Sequence, residues 1–447
     1  MGKRPFISDL IELIFRAGDI LLGYSIVRSL KYHRQIGKLT EQDLQQLQEK
    51  KLSALIQHAT SSCEVYRSQG LNENSLLKDF PVINKSGVQK DLNKFISSRY
   101  KQEKLIPYET SGSSGVRSKV YVDKKEQSIF RAILINWWEW TGFYLGKPIL
   151  QTGITPNRGW LKTLKDRLTN TVYCNAFAMD EKEAVAKLTK ISSYKRRHMG
   201  GFASSLYVLA TYAEKNNLNI TFDAAIAWGD KLFDHYKEKI ETVFKTKVYE
   251  NYSCNEGIMI GQKVDLDYFY IYTPNVLLEL LDENNEPVPD GEMGRVVVTK
   301  LDGYAMPLIR YDTGDLAVKL PREEYPEKRR FKFPLLKKVI GRNTDIIKTP
   351  EGKNLIVHTF TGIFEFYDEI QQFRIIQNEL DKMLIEVIPS DHFQNECLER
   401  IEKDIREKTG TQMRIEWEKV ESIPSTASGK PQLIKNNLIK NSLSAQI

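Results

Sequence analysis

Residues 108 to 118 read Tyr-Glu-Thr-Ser-Gly-Ser-Ser-Gly-Val-Arg-Ser, which sets the hydroxyls of Thr110, Ser111, Ser113 and Ser114 around Gly112 and Gly115. Glycine lets the backbone turn several N–H groups to one side, and small hydroxylated side chains add donors without filling the space. A polyphosphate needs such a place, because its oxygens must exchange water for fixed dipoles. No Gly-Lys-Ser/Thr follows, so this is not the common nucleoside-triphosphatase loop. Taken alone, a Ser/Gly-rich surface turn reads the same way. Both readings stand on this segment.

Four later segments carry further signals: Tyr252-Ser-Cys-Asn-Glu256, Arg310-Tyr-Asp-Thr-Gly-Asp315, Gly341-Arg-Asn-Thr-Asp-Ile-Ile-Lys348 and Pro424-Ser-Thr-Ala-Ser-Gly-Lys430. With the loop, in this order and at these separations, they resemble the adenylate-forming superfamily of acyl-CoA ligases, luciferases and carrier-protein adenylation domains. The resemblance runs from about residue 35 to about residue 435. It is nearest the phenylacetate-CoA ligase branch, which includes coenzyme F390 synthetases and proteins of capsular-polysaccharide gene clusters.

The resemblance implies ATP-dependent activation of a small carboxylic acid through an acyl-adenylate, then transfer to CoA or to the phosphopantetheine thiol of an acyl carrier protein. ATP, Mg2+ and CoA are the implied cofactors. Joining two anions requires charge neutralisation and fixed geometry around the phosphates. Glu256, a hard oxygen donor, is the implied magnesium ligand. Asn251 and Tyr252 correspond to the adenine platform, and Asp315 can accept both ribose hydroxyls. Arg342 follows the hinge glycine and reaches towards ribose or phosphates. Lys430, after Ser-Gly, bridges the attacking carboxylate and the α-phosphate.

Three departures accompany the match. The adenine-pocket turn is Trp228-Gly229-Asp230, with aspartate where the family has glutamate. Ser118 stands where most relatives outside the branch place a lysine, and Arg117 or Lys119 could compensate. The usual hinge acid or lysine is replaced by Thr344, with Asp345 one step later. Two rival functions stand beside it: an adenylyltransferase that stops at AMP transfer to an acid or phenol, as the resemblance to F390 synthetases permits, and, from a different class, a non-catalytic nucleotide-binding protein of polysaccharide biosynthesis.

Composition limits the alternatives. The chain has 447 residues, 41% hydrophobic and 28% charged, with a formal net charge of +7. That length exceeds one ordinary core, so two or more domains are expected. The charge suits phosphate-bearing ligands or an acidic carrier, and falls short of a nucleic-acid binder. Cys63, Cys174, Cys254 and Cys397 are scattered, which indicates neither a zinc ribbon nor a disulfide framework and suits a cytoplasmic protein. A homodimer is a further reading.

The elements that must position these residues alternate between strand and helix signals, which argues for layered α/β structure with mixed sheets. Helices are expected over residues 41–60, 180–191 and 204–216, with another rich in Trp137, Trp138 and Trp140. These tryptophans, with Phe143, Tyr144, Gly201-Phe202-Ala203-Ser204 and Tyr207, read either as acyl-pocket liners or as plain core. From about residue 264 the texture turns to β. Residues 319–338 hold eight Lys/Arg against three acids and read as a solvated hairpin or loop. The expected organisation is a large domain over 1–340, a hinge at 341–344 and a small mobile α+β domain over 345–447.

Between Phe6 and Val27, Asp9, Glu12, Arg16 and Asp19 interrupt the apolar residues at helical spacing. The apolar run is too short for a membrane span, and the charges argue against a signal peptide. The expectation is a helix docked by Leu10, Leu13, Ile14, Ala17 and Leu21 on the body of the protein. Peripheral membrane contact, helped by Arg28, Lys31, His33, Arg34 and Lys38, is the second reading.

Overall fold

The computed structural model describes residues 6–110, 118–153, 159–176, 179–230, 232–254, 256–339, 347–351, 353–355, 357–364, 366–410, 412–423 and 433–438. The chain crosses between two compact units. One is drawn from Met1–Thr110, Ser118–Gly146 and Tyr249–Gly341, the other chiefly from Lys147–Val248 and Arg342–Ile447.

In the first unit the strands Val276–Leu281, Met293–Lys300, Tyr311–Lys319, Leu335–Val339, Phe269–Ile271, Ile258–Gln262 and Val248–Cys254 lie side by side in that order. Their recorded pairings are antiparallel. Val296, Val298, Ile260, Phe269 and Tyr311 face one core with Leu55 and Ala59 of the helix Glu41–Ser62 and with Tyr66 of the short helix Glu64–Arg67. That helix starts where the sequence suggests, because Thr40 and Asp43 form a reciprocal capping box.

The helix Lys124–Trp140 begins at Asp123, whose carboxylate accepts from Glu126 N at 2.7 Å. Trp137 and Trp140 join Tyr270, Tyr272, Phe331 and Phe333 in a second core. Trp138 is buried as well, so the tryptophans of this helix pack as core. The basic stretch 319–338 differs from a merely solvated loop. Its Phe331 and Phe333 are buried, with Phe331 4.3 Å from Trp140 between ring centres. Its charges take local partners, including Arg322 with Glu41 and Lys319 with Asp290.

The amino-terminal helix Phe6–Leu22 forms, but it docks by the opposite face from the one expected. Ser8, Ile11 and Asp19 are buried, while Leu10, Leu13, Ile14 and Leu21 are exposed. Asp19 turns inward because its carboxylate accepts from Val27 N at 2.8 Å, in the first turn of the helix Ile26–Ile36. Glu12 turns inward to meet Arg34 at 2.9 Å.

In the second unit Ala224–Trp228, His198–Phe202, Ile149–Gly153 and Thr171–Asn175 form parallel neighbours in that order. Helices Glu181–Ser192, Ala203–Lys215 and Asp234–Phe244 alternate with them, as parallel pairing requires. The carboxyl-terminal part holds a four-stranded sheet in the order Arg414–Lys419, Lys382–Pro389, Ile370–Glu379 and Ile434–Asn436. Helix Glu396–Thr409 packs on it through Cys397, Ile401 and Ile405. This is the small α+β body that the sequence suggests. The hinge residues 341–344 lie outside the described residues.

Candidate functional site

The strands on either side of the Ser/Gly stretch pair with each other. Ile106–Thr110 pairs with Ser118–Val122, Ile106 opposite Val122 and Thr110 opposite Ser118. Thr110 closes the first strand, whereas Ser111, Gly112, Ser113, Ser114 and Gly115 lie outside the described residues. The base of this pair reaches the Glu256 turn. Gly257 has φ +75°, and a Cβ there would lie 3.2 Å from the Tyr108 ring and 3.4 Å from Lys300 Nζ. The turn therefore needs glycine twice, for its dihedral and for this close approach.

Asn251 and Tyr252 sit on Val248–Cys254, where the register with Ile258–Gln262 slips between Tyr252 and Ser253. Such a bulge re-aims side chains at a strand end. The Tyr252 hydroxyl donates to Asp315 Oδ2 at 3.0 Å. Burial, then the Asp315 charge, holds this phenol well above its usual range, so it stays a donor. Asn251 is buried, and its side-chain amide has neither donor nor acceptor satisfied among the described residues. A buried amide is costly to leave unpaired. An adenine edge offers the complementary donor and acceptor.

Asp315 owes its position to a second bulge. Arg295 pairs with Leu316 and Val297 with Asp312, so three residues bow out between them. Gly314 takes φ +71° there, Asp312 Oδ1 accepts from Gly314 N at 2.6 Å, and Thr313 Oγ1 accepts from Asp315 N at 3.1 Å. Arg310, at the head of this motif, is structural: it is buried and paired with Glu279 at 3.1 Å.

Glu256 is buried, and its Oε1 accepts from the Tyr311 hydroxyl at 2.9 Å. Two tyrosine–carboxylate pairs, Tyr252–Asp315 and Tyr311–Glu256, therefore join the strand Tyr311–Lys319 to residues 252 and 256. Among the described residues no group of three or more His, Cys, Asp or Glu side chains could hold a metal by itself. A lone buried carboxylate fits magnesium, which takes one or two carboxylates and completes its shell with phosphate oxygens and water.

In the second unit Gly229 takes φ +84° and lies against Phe202. Asp230 Oδ1 accepts from Ala203 N at 2.5 Å, and Oδ2 accepts from Ser204 N at 3.2 Å and from the Ser204 hydroxyl. The carboxylate thus caps helix Ala203–Lys215 from a neighbouring strand. Burial pushes its pKa up to about 6 against the pull of these donors. Arg342 and Lys430 lie outside the described residues.

Residues 347–437 match the family described as the CapK C-terminal domain. Over 427 residues, 91% of this chain and 92% of the relative, the sequence is 25% identical to Protein CapK of Staphylococcus aureus. The solved structure of 2-hydroxyisobutyryl-CoA ligase in complex with 2-HIB-AMP and CoA is similar with a TM-score of 0.62. Its identity is 18%, over 92% of this chain and 94% of that one. The chain shares the fold of that ligase. A stretch of 88 residues, 20% of this chain, is 36% identical to phenylacetate-coenzyme A ligase of Pseudomonas putida and covers 17% of that protein.

The chain also carries site neighbours that sequence reasoning missed. Tyr311 lies inside a quoted motif, but nothing in the spacing says that its hydroxyl holds Glu256. Lys300 ends a valine-rich strand, is buried, and donates to the Glu256 carbonyl at 3.4 Å and to Glu126 at 3.3 Å. Glu126 also accepts from Ala305 N at 2.7 Å. Burial, opposed by Lys300, pushes the Glu126 carboxyl up to about 7. In sequence Glu126 reads as an ordinary first-turn helix acid.

Proposed function

We propose that this protein activates a small carboxylic acid with ATP and passes the acyl group to a thiol, of CoA or of a carrier phosphopantetheine. The observations that carry the reading are the buried, unsatisfied amide of Asn251, the Tyr252–Asp315 pair and the buried Glu256: acceptors and donors suited to adenine, ribose and a magnesium–phosphate group. The shared fold with a solved ligase that holds 2-HIB-AMP and CoA supports it.

In the proposed chemistry a carboxylate oxygen attacks the α-phosphorus, the bond to the β-phosphate oxygen breaks, and pyrophosphate leaves. The thiolate then attacks the acyl carbonyl carbon and AMP leaves; the thiol proton passes to solvent. Asn251 and Tyr252 bind the base, and the resemblance assigns Gly229 and Asp230 to adenine binding as well. Asp315 accepts from the ribose hydroxyls. Thr110, Ser111, Gly112, Ser113, Ser114 and Gly115 cradle the phosphates, and Arg342 reaches ribose or phosphate. Glu256 holds magnesium, which when bound neutralises the phosphate oxygens. Lys430 stabilises charge at the α-phosphate during attack. Because Lys430 must then give way to the thiol, the small domain turns about residues 341–344 between the two steps.

The test is pyrophosphate release over aryl, fatty and amino acids, each with and without CoA. An acid that releases pyrophosphate and yields a thioester with CoA establishes the reading. Release of AMP-linked acid or phenol with no thiol dependence would replace it with adenylyl transfer. ATP binding without turnover on any acid would leave only a nucleotide-binding protein.

A further inference from the structure

A helix on a water-soluble body normally turns its apolar stripe to the core and its charges to solvent. Phe6–Leu22 does the reverse. Two of its three acids are consumed internally, Asp19 at the start of the next helix and Glu12 on Arg34. Its inner face is completed by Ser8 and by Ile11, which packs against Gly146. Outward stand Leu10, Leu13, Ile14, Ile20, Leu21 and Leu22, with Leu13 61%, Ile20 76% and Leu21 83% exposed. These residues form a ridge along about three and a half turns, wider than the scattered aliphatics a soluble surface tolerates.

The charge around the ridge is cationic. Arg16 on the helix, and Arg28 and Lys31 on Ile26–Ile36, are exposed. Lys124 is held at the carboxyl end, donating to the Leu22 carbonyl at 2.8 Å. In the sequence Lys3 and Arg4 precede the helix. Asp9 is the one acid of the helix left exposed among its described residues.

We propose that this helix is a lipid-surface anchor, lying in the headgroup region of an anionic bilayer with its aliphatic ridge inserted and its cationic rim on the phosphates. The ridge supplies the apolar area that interfacial binding scales with, and each rim cation adds attraction to anionic lipid. Spanning is a different matter: no helix among the described residues is long and apolar enough to cross a membrane. A second copy of this chain is the poorer occupant. Two such faces meeting about a two-fold axis would set cationic rim against cationic rim. The inference concerns where the protein sits and is independent of the reaction proposed above.

The experiment is vesicle co-sedimentation of the full chain. One set of vesicles is pure phosphatidylcholine; the other has roughly a third phosphatidylglycerol. Wild type is expected on the anionic vesicles, with binding falling as salt rises, and scarcely on the neutral ones. Leu13→Glu with Leu21→Glu should abolish it. Both side chains point away from the body, so thermal melting should stay unchanged and certify the fold. Arg28→Glu with Lys31→Glu keeps the ridge and should weaken anionic binding by roughly tenfold or more. As a second readout, an environment-sensitive fluorophore on Ile20→Cys should shift to the blue with anionic vesicles. Equal binding of wild type and the Leu13→Glu, Leu21→Glu variant overturns the proposal, as does wild type remaining free of both vesicle types. A solution dimer that the same pair of substitutions dissolves also overturns it, and assigns the ridge to a second copy.

Discussion

At Trp228-Gly229-Asp230 a glycine with φ +84° aims an aspartate at the first turn of a helix, and both carboxylate oxygens end on donors of Ala203 and Ser204. At Thr313-Gly314-Asp315 a glycine with φ +71° aims an aspartate from a strand bulge at one hydroxyl, that of Tyr252. The local device is the same: left-handed glycine, then acid. What stands opposite differs. Three donors at a helix start tie Asp230 to the architecture, whereas Asp315 meets the Tyr252 hydroxyl from a strand bulge. Glu256, which accepts from the Tyr311 hydroxyl, is of the second kind. Availability of a carboxylate to a ligand is thus set by the donors that the fold brings to it.

The largest effect should fall on a residue that neither turn contains. Lys430→Ala is expected to reduce adenylate formation by about a hundred- to a thousandfold, the usual cost of about 3–4 kcal/mol for removing one transition-state donor. ATP binding should change little. Near-normal ATP–pyrophosphate exchange in this variant would mean that transition-state charge is handled by the carboxylate end alone.

Next is the metal. Glu256→Gln should raise the magnesium needed for half-maximal activity by about a hundredfold, and Tyr311→Phe by about tenfold, as for a ligand and its orienting partner. Magnesium titration of pyrophosphate release separates the two. Wild-type behaviour of Glu256→Gln at low magnesium would place the metal elsewhere.

The two aspartates give the sharpest form of the comparison. Asp315→Ala removes a charged acceptor for hydroxyls and should weaken ATP binding by about 1.5–3 kcal/mol, with little change in melting. Asp230→Ala removes a cap and should lower stability by about 1–2 kcal/mol, with ATP affinity nearly kept. Calorimetry of ATP binding alongside urea denaturation reads both. If the two losses came out exchanged, the assignment of one carboxylate to ligand and the other to architecture would be wrong.

The smallest effect is on pH. Burial raises Glu126 and Asp230 above their ordinary values, to about 7 and about 6. In the window between the unfolded and folded values the native state binds more protons than the unfolded one. This contribution to stability is therefore full at low pH and is lost as pH rises through the folded values. Glu126→Gln should flatten the decline between about pH 5 and pH 7.5. Denaturation midpoints across that range that track wild type at every pH would show that Glu126 does not titrate in the window.

Where a motif's chemistry is local, the sequence sufficed. Strand Ile149–Gly153 and the start of helix Glu41–Ser62 follow from side-chain period and from the Thr40–Asp43 cap, interactions a few residues long. The acids at 256 and 315 were legible because each ends a recognisable run. Nothing local told which face of Phe6–Leu22 would turn inward. Helical spacing sorts side chains into two faces, but Val27 N and Arg34 decided the docking through bonds to Asp19 and Glu12. Nor could it separate Asp230 from Asp315, or find Lys300, Glu126 and the hydroxyl of Tyr311. Their partners lie on other helices and strands, 26 residues away for Ser204, 63 for Tyr252 and 174 between Lys300 and Glu126. By itself the sequence determined which groups exist and the local turns that present them. Tertiary structure decided which donors face them, because hydrogen bonds and burial act over a few ångströms of space and take no account of distance along the chain.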